Sequence, residues 1–346
     1  MSTRILTSAE AAREALDQLL MSSKDYFVIG EGVPDPKACF GTTKGLKEKY
    51  PHQVFDMPVS ENGMTGVCVG AALGGLRPIM IHMRQDFLLY AMDQIVNNAA
   101  KWHSQFGSNG GNVPMVIKAF TGRGWGAGHQ HAQNLSSLFA HIPGLKVVAP
   151  STARHAKGLF ISSAKDQNPV LILEHRWIHN ITGHVPEEIY ETPIGKAEVV
   201  KEGSDVTMVA WSYQLHEARR ACEILEEAGV SVELIDLLSL RPIDYDTVMT
   251  SVMKTKRVVV VDESWSTGSL AGEIIATLAE VVKPKEVLRL TNPDFYPSST
   301  PALTKGYYPT ARSIAVAVSQ MFSKKVNVPV IKQPHDIPDP SYKGPF

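Results

Sequence analysis

The chain has 346 residues, 44% hydrophobic and 20% charged, with a formal net charge of -1. That length points to two ordinary globular domains with ample core, and Lys and Arg spread along the chain exclude the concentrated basic patch of a nucleic-acid binder. Three widely spaced cysteines, Cys39, Cys68 and Cys222, exclude a disulfide framework and a zinc ribbon and fit a reducing, cytoplasmic setting. Glu10, Arg13, Glu14 and Asp17 interrupt the first apolar stretch, so no signal peptide is expected. No run reaches the ~18 apolar residues of a membrane span; residues 63–83 come nearest and are broken by Arg77 and Pro78.

In chain order, helical spacing of Ala, Leu and charge predicts a helix over residues 8–21. YFVIGEG (26–32) and QVFDMPV (53–59) read as strands, and 61–75 as a helix with Gly66, Gly70 and Gly74 at every fourth position, a face another backbone could approach. PIMIHM (78–83) is a strand and 86–106 one long helix. PMVIKAF (114–120) is a strand leading into the loop TGRGWGAGHQHAQ (121–133). LKVVAP (145–150) and PVLILEH (169–175) are strands flanking a helix near 152–166. Apolar runs alternating with helices signal a parallel sheet covered on both faces. The rhythm is lost over 177–203 and then resumes, with strands at 205–211, 230–238, 257–263 and 287–292 and helices at 214–228, 244–254, 269–282 and 310–323. The expected fold is α/β in two domains, 1–176 and 204–325, each a mostly parallel sheet flanked by helices, joined by a linker at 177–203 and followed by a proline-rich extended tail at 326–346.

Ligands of open parallel sheets bind at the carboxyl ends of the strands, and two segments follow such ends. Glu61 opens the apolar, glycine-rich run SENGMTGVCVGAALGG (60–75). The helix dipole alone accounts for an acid in a first turn, with Ser60 or Asn62 as the cap; an acid that handles a proton in a buried site is the alternative. The second segment, GRGWGAGHQH (122–131), sets Arg123, Trp125, His129 and His131 among four glycines. Glycine admits close approach to a ligand, and histidine exchanges protons near neutral pH; a solvated surface loop is the bland alternative. Zinc is disfavoured because no HExxH and no nearby carboxylate accompany the histidines. There is no GxSxG elbow, no cysteine in an evident activating setting, and GTTKG (41–45) lacks the first glycine of a phosphate loop. Met83 and Phe87 read, on their own, as core packing.

Taken together, MPVSENGMTGVCVGAALGGLRPI, FLLYAMDQIVNNAAK, GHQHAQ, PGLKVVAPSTARHAKGL, DQNPVLILEH, ELIDLLSLRPID and VVVVDESWSTGSLAGEI resemble, in order over roughly residues 4–324, the β subunits of thiamine diphosphate-dependent 2-oxo acid dehydrogenases of the pyruvate and branched-chain type, and the matching halves of transketolase. The resemblance implies a pyrimidine-binding domain followed by a transketolase C-terminal domain. It implies that Glu61 hydrogen-bonds a ring nitrogen of the cofactor's aminopyrimidine and activates it, its apolar helix mouth keeping it able to share a proton. It implies that Phe87 packs on that ring with Met83 as a neighbour, and that His131 acts on the substrate. Met115, Ser163, Asp166 and Asn168 fall where some relatives bind potassium through mainly backbone oxygens.

The family's GDG segment for diphosphate and magnesium is absent, so the site implied is half a site. An α subunit would hold the magnesium, a second β chain would complete the assembly, and a lipoyl acyltransferase would take the acyl group. Departures from the family pattern are the bulk and charge of Arg123, Trp125 and His129 and the polar His82, Arg84 and Gln85. They raise a substrate bearing hydroxyls, phosphate or an extra carboxylate, with His129, Arg123 and His82 as its contacts. The expected function is decarboxylation of a 2-oxo acid. A split transketolase-like ketol transferase or carboligase, and a non-catalytic assembly subunit, are the alternatives.

Overall fold

The computed structural model describes residues 4–123 and 126–327, so most of the tail expected at 326–346 and Trp125 lie outside the described residues. The chain divides into two units, one built from 4–122 and 138–194, the other from 123, 126–137 and 195–327. The division at 194/195 falls inside the stretch read as a linker.

The first unit is organised on strands β1 (Ile5–Thr7), β2 (Tyr26–Gly30), β3 (Val54–Phe55), β4 (Arg77–His82), β5 (Val116–Thr121), β6 (Lys146–Val148), β7 (Val170–His175) and β8 (Thr182–His184). Its main sheet runs β6-β7-β5-β4-β2-β3, parallel at each pairing. Every residue of β5 and β7 is buried, which explains their largely apolar character and means that the polar residues they carry, Lys118 on β5 and Glu174 on β7, must find partners inside. Helix Ser8–Ser22 opens with a capping box between Thr7 and Glu10 and packs on helix Ala153–Lys165, itself capped by Thr152. β1 and β8 pair antiparallel, Leu6 opposite Gly183; at three residues each they carry too little pattern to be read from sequence. The stretch 86–106 is not one α-helix. It is a tight 3₁₀ turn, Gln85–Ala91, then a wide π-type segment, Asp93–Ala100, then a short α turn, Trp102–Phe106. The wide i→i+5 turns let Ile95, Ala99 and Ala100 all stay buried on one side.

Inside this unit Lys118 and Glu174 form a fully buried ion pair at 2.5 Å, with His179 Nε2 3.5 Å from the same carboxylate oxygen. Burial alone would raise the Glu174 carboxyl, but Lys118 and then His179 outweigh it and hold its pKa at about 2.

The second unit holds β9 (Glu198–Lys201), β10 (Val206–Ala210), β11 (Val232–Asp236), β12 (Ser239–Arg241), β13 (Arg257–Trp265) and β14 (Glu286–Asn292). Its sheet runs β14-β13-β10-β11-β9, parallel except for β9. Val206, Met208 and Ala210 face helices Tyr213–Glu227 and Ala311–Met321 in one core. Thr207, on the opposite face, meets Ser251 at 2.6 Å and Thr255 at 2.7 Å on helix Tyr245–Thr255. Helix Leu270–Val281, capped by Ser269, lies against β13 and β14. β10 has β11 on one side and β13 on the other, which makes it the point where the strand order reverses.

Candidate active site

Glu61 is the first residue of helix Glu61–Leu73, which lies on β4. Ser60 stands at the N-cap without a side-chain capping bond, so the helix start relies on other contacts. Thr65 Oγ1 sits 2.6 Å from the Glu61 carbonyl and 3.2 Å from Met80 Sδ, which pins this first turn to β4 through the backbone and leaves the half-buried carboxylate uninvolved.

Three carboxylates converge here. Glu31, just past β2, is raised above the usual range by burial first and then by the negative charges of Glu61 and Asp56. Asp56 Oδ1 accepts from the backbone N–H groups of Gly32 and Met57, each at 3.0 Å. Glu31 was not singled out in the sequence; the signal that could have found it is its place one residue past a buried strand end.

The turn Gln85–Ala91 packs against the Glu61 helix, and Met83 and Phe87 are half-buried within and beside it. Gly66 is taken up by close packing on Gln94, whereas Gly70 faces open space. His82 ends β4 at 2% exposure; its Nε2 has no hydrogen-bond partner among the described residues. Burial drives its pKa down to about 4. An acid, an apolar pair with an aromatic, and an orphaned imidazole nitrogen fit an aromatic heterocycle with a hydrogen-bonding ring nitrogen. These side chains are not arranged as a metal site: among the described residues no group of three or more His, Cys, Asp or Glu could hold a metal ion.

His82 also carries a pH signature. A histidine whose folded pKa is depressed binds its proton more tightly when unfolded, so stability falls as pH drops from about 6.5 towards 4. Urea unfolding is expected to show wild type losing roughly 3 kcal/mol more than His82→Phe between pH 7 and pH 4.

The loop residues Arg123, His129 and His131 belong to the second unit. His131 closes the helical turn Gly128–His131 and is half-buried. His129 is exposed, its ring 6.0 Å from that of Tyr296. Arg123 is 1% exposed and donates from Nη1 to Glu263 Oε1 at 3.2 Å. Gly128 has φ +56°, and a Cβ there would lie 2.1 Å from Ser299 Oγ. At the four positions raised for potassium, Met115 O accepts from Val170 N at 3.0 Å, Ser163 O from Asp166 N at 3.3 Å, and the Asp166 carboxylate is engaged by Lys146 and by the Asn168 N–H.

Comparison with known proteins bears on the fold and the family. Residues 5–179 match the transketolase pyrimidine-binding domain and residues 195–314 the transketolase C-terminal domain. The β subunit of acetoin:2,6-dichlorophenolindophenol oxidoreductase from Cupriavidus necator is 38% identical over 91% of this chain and 96% of its own. Pyruvate dehydrogenase E1 component β subunits are 42% identical in Cyanidium caldarium, over 78% of this chain and 82% of theirs, and 40% identical in Rickettsia bellii, over 78% and 83%. A solved split-gene transketolase, described as an inactive β4 tetramer, has a TM-score of 0.75 at 24% identity, covering 92% of this chain and 98% of that one, and shares the fold. Fold and matched domains thus define a transketolase-type chain. More narrowly, it belongs to the β-subunit family of thiamine diphosphate-dependent 2-oxo acid dehydrogenases. No helix among the described residues is long and apolar enough to cross a membrane.

Proposed function

We propose that this chain is the β subunit of an enzyme that decarboxylates a 2-oxo acid and passes on the acyl group, active only with an α chain. The observation that carries the reading is Glu61 at the start of a helix that packs on the turn holding Phe87, close enough to Glu31 for its charge to act there, in a chain whose relatives are named pyruvate dehydrogenase β subunits. Thiamine diphosphate, when bound, supplies the electron sink for cleaving the bond next to the substrate carbonyl. Glu61 would hydrogen-bond the aminopyrimidine and hold its proton. Phe87 and Met83 would pack on the ring and keep water from it. His131 handles protons on the substrate, with His82 and His129 as candidate substrate contacts. Magnesium falls to the α chain, since GDG is lacking here. The potassium set, Met115, Ser163, Asp166 and Asn168, stays a proposal, as do the second β chain, the lipoyl acyltransferase and a cytoplasmic setting. The exposed Val67, Gly70 and Gly74 on the Glu61 helix suit close packing within such an assembly.

A second reading has specific support: the Cupriavidus necator relative is named for acetoin, so cleavage beside the carbonyl of a hydroxyketone is also proposed. Both readings are tested by co-expressing the chain with an α-type partner and adding thiamine diphosphate and magnesium. Dye reduction is then followed with pyruvate, branched-chain 2-oxo acids, acetoin and ketose phosphates. Turnover of a 2-oxo acid supports the first reading and of acetoin the second. Turnover confined to ketose phosphate with an aldose acceptor overturns both in favour of ketol transfer.

A further inference from the structure

In open α/β sheets, ligands sit in the crevice where strand order reverses, beyond the carboxyl ends of the strands. In the second unit that crevice lies between β10 and β13. Gln214 borders it after β10, and Glu263 borders it near the end of β13. Its occupant is a residue of the chain itself. Arg123 Nη1 donates to Glu263 Oε1 at 3.2 Å, and the other carboxylate oxygen accepts from Gln214 Nε2 at 3.1 Å. The guanidinium carbon lies 4.0 Å from the ring centroid of Tyr308 and 5.8 Å from that of Tyr213. Asn292 Nδ2 donates to the Glu263 carbonyl at 2.9 Å and steadies the acid's backbone. Arg123 is 1% and Glu263 6% exposed, so neither charge is available to bulk solvent.

A second contact grips the same loop further along. Gly128 runs so close to Ser299 that a Cβ would clash, and His129 lies beside Tyr296, two residues before His131.

We propose that Arg123 and Glu263 are positioning residues: the second unit uses its switch-point crevice to clamp the glycine loop, and so fixes the imidazole of His131. Arg123 then serves the loop and leaves substrate recognition to other groups. The inference rests on the reading of His131 as an active-site residue. Planar stacking on Tyr308 together with a carboxylate partner is a role suited to guanidinium and poorly filled by an ammonium.

The test uses the reconstituted α/β complex carrying R123M, R123K, E263Q or the exchanged pair R123E/E263R. Amide hydrogen exchange over residues 126–137 is measured beside steady-state kinetics and calorimetric thiamine diphosphate binding. R123M and E263Q should speed exchange about tenfold or more and lower kcat about 10–100-fold, the scale of a misplaced catalytic group. Cofactor Kd should move less than about threefold, because its contacts lie elsewhere. R123K should recover part of the loss, and the exchanged pair should be less impaired than R123E or E263R alone, each measured beside it. Unchanged loop exchange in R123M and E263Q, with only the substrate KM raised, overturns the proposal and returns Arg123 to substrate binding. If R123M does not fold, E263Q, close in shape to the native side chain, decides the matter. Exchange is read without turnover, so a wrong assignment of His131, seen as full activity of H131N, is distinguishable from a wrong assignment of the clamp.

Discussion

Glu61→Gln is expected to leave the α/β complex assembled while lowering kcat about 10²–10⁴-fold, the usual worth of a positioned acid–base group. The amide matches the carboxylate in shape but cannot give or take the proton. The helix start should survive, because Thr65 bonds the Glu61 carbonyl and leaves its side chain alone. Glu61→Asp tests placement separately: it keeps the carboxyl but draws it back by one methylene, and about 100-fold is expected for a shift of that size. Native-mass and thermal measurements on the complex check assembly. Full turnover by Glu61→Gln would favour a subunit that only assembles with its partner.

His131→Asn is expected to cost about 10²–10⁴ in kcat through a different step. Its defect should appear only with substrate present. Exchange of the thiazolium proton of bound cofactor, followed by quenched-flow NMR, should slow in Glu61→Gln and stay at the wild-type rate in His131→Asn. His129→Ala, two residues away and exposed beside Tyr296, should change kcat by less than about threefold and act on substrate KM instead, as expected of a binding contact that takes no part in the proton steps. Equal losses at 129 and 131 would mean that the loop as a whole, rather than one imidazole, carries the effect.

Much of this architecture was legible because its decisive residues are local. β5 and β7 are mostly apolar runs, since both faces of their sheet are covered, and the segments VI and VLIL that open them need no partner to be recognised. Glu61 stood out as an acid in an apolar segment, and the helix it opens starts at that residue. What stayed hidden depends on distant chain. β1 and β8 are strands only because they find each other across the chain, Thr7 opposite Thr182. The stretch 86–106 has sound helical periodicity, but periodicity does not distinguish α from the wider and tighter turns that packing imposes there. Arg123 drew attention by its charge among glycines, yet its partner Glu263 lies 140 residues further on, where VVVVDESW reads simply as a strand end. Glu31 has an ordinary sequence context and is perturbed by the burial, and then by the neighbouring carboxylates, that folding brings to it.

For anyone wishing to retune substrate choice by laboratory evolution, the tight passage of Gly128 against Ser299 sets the terms. Saturation at 128 alone would yield mostly dead clones, since every side chain would collide with the serine hydroxyl and also face an unfavourable left-handed backbone. Libraries are better spent on residues 296 to 299, randomised as a block, which can reshape the wall behind the histidines without forcing the main chain to move.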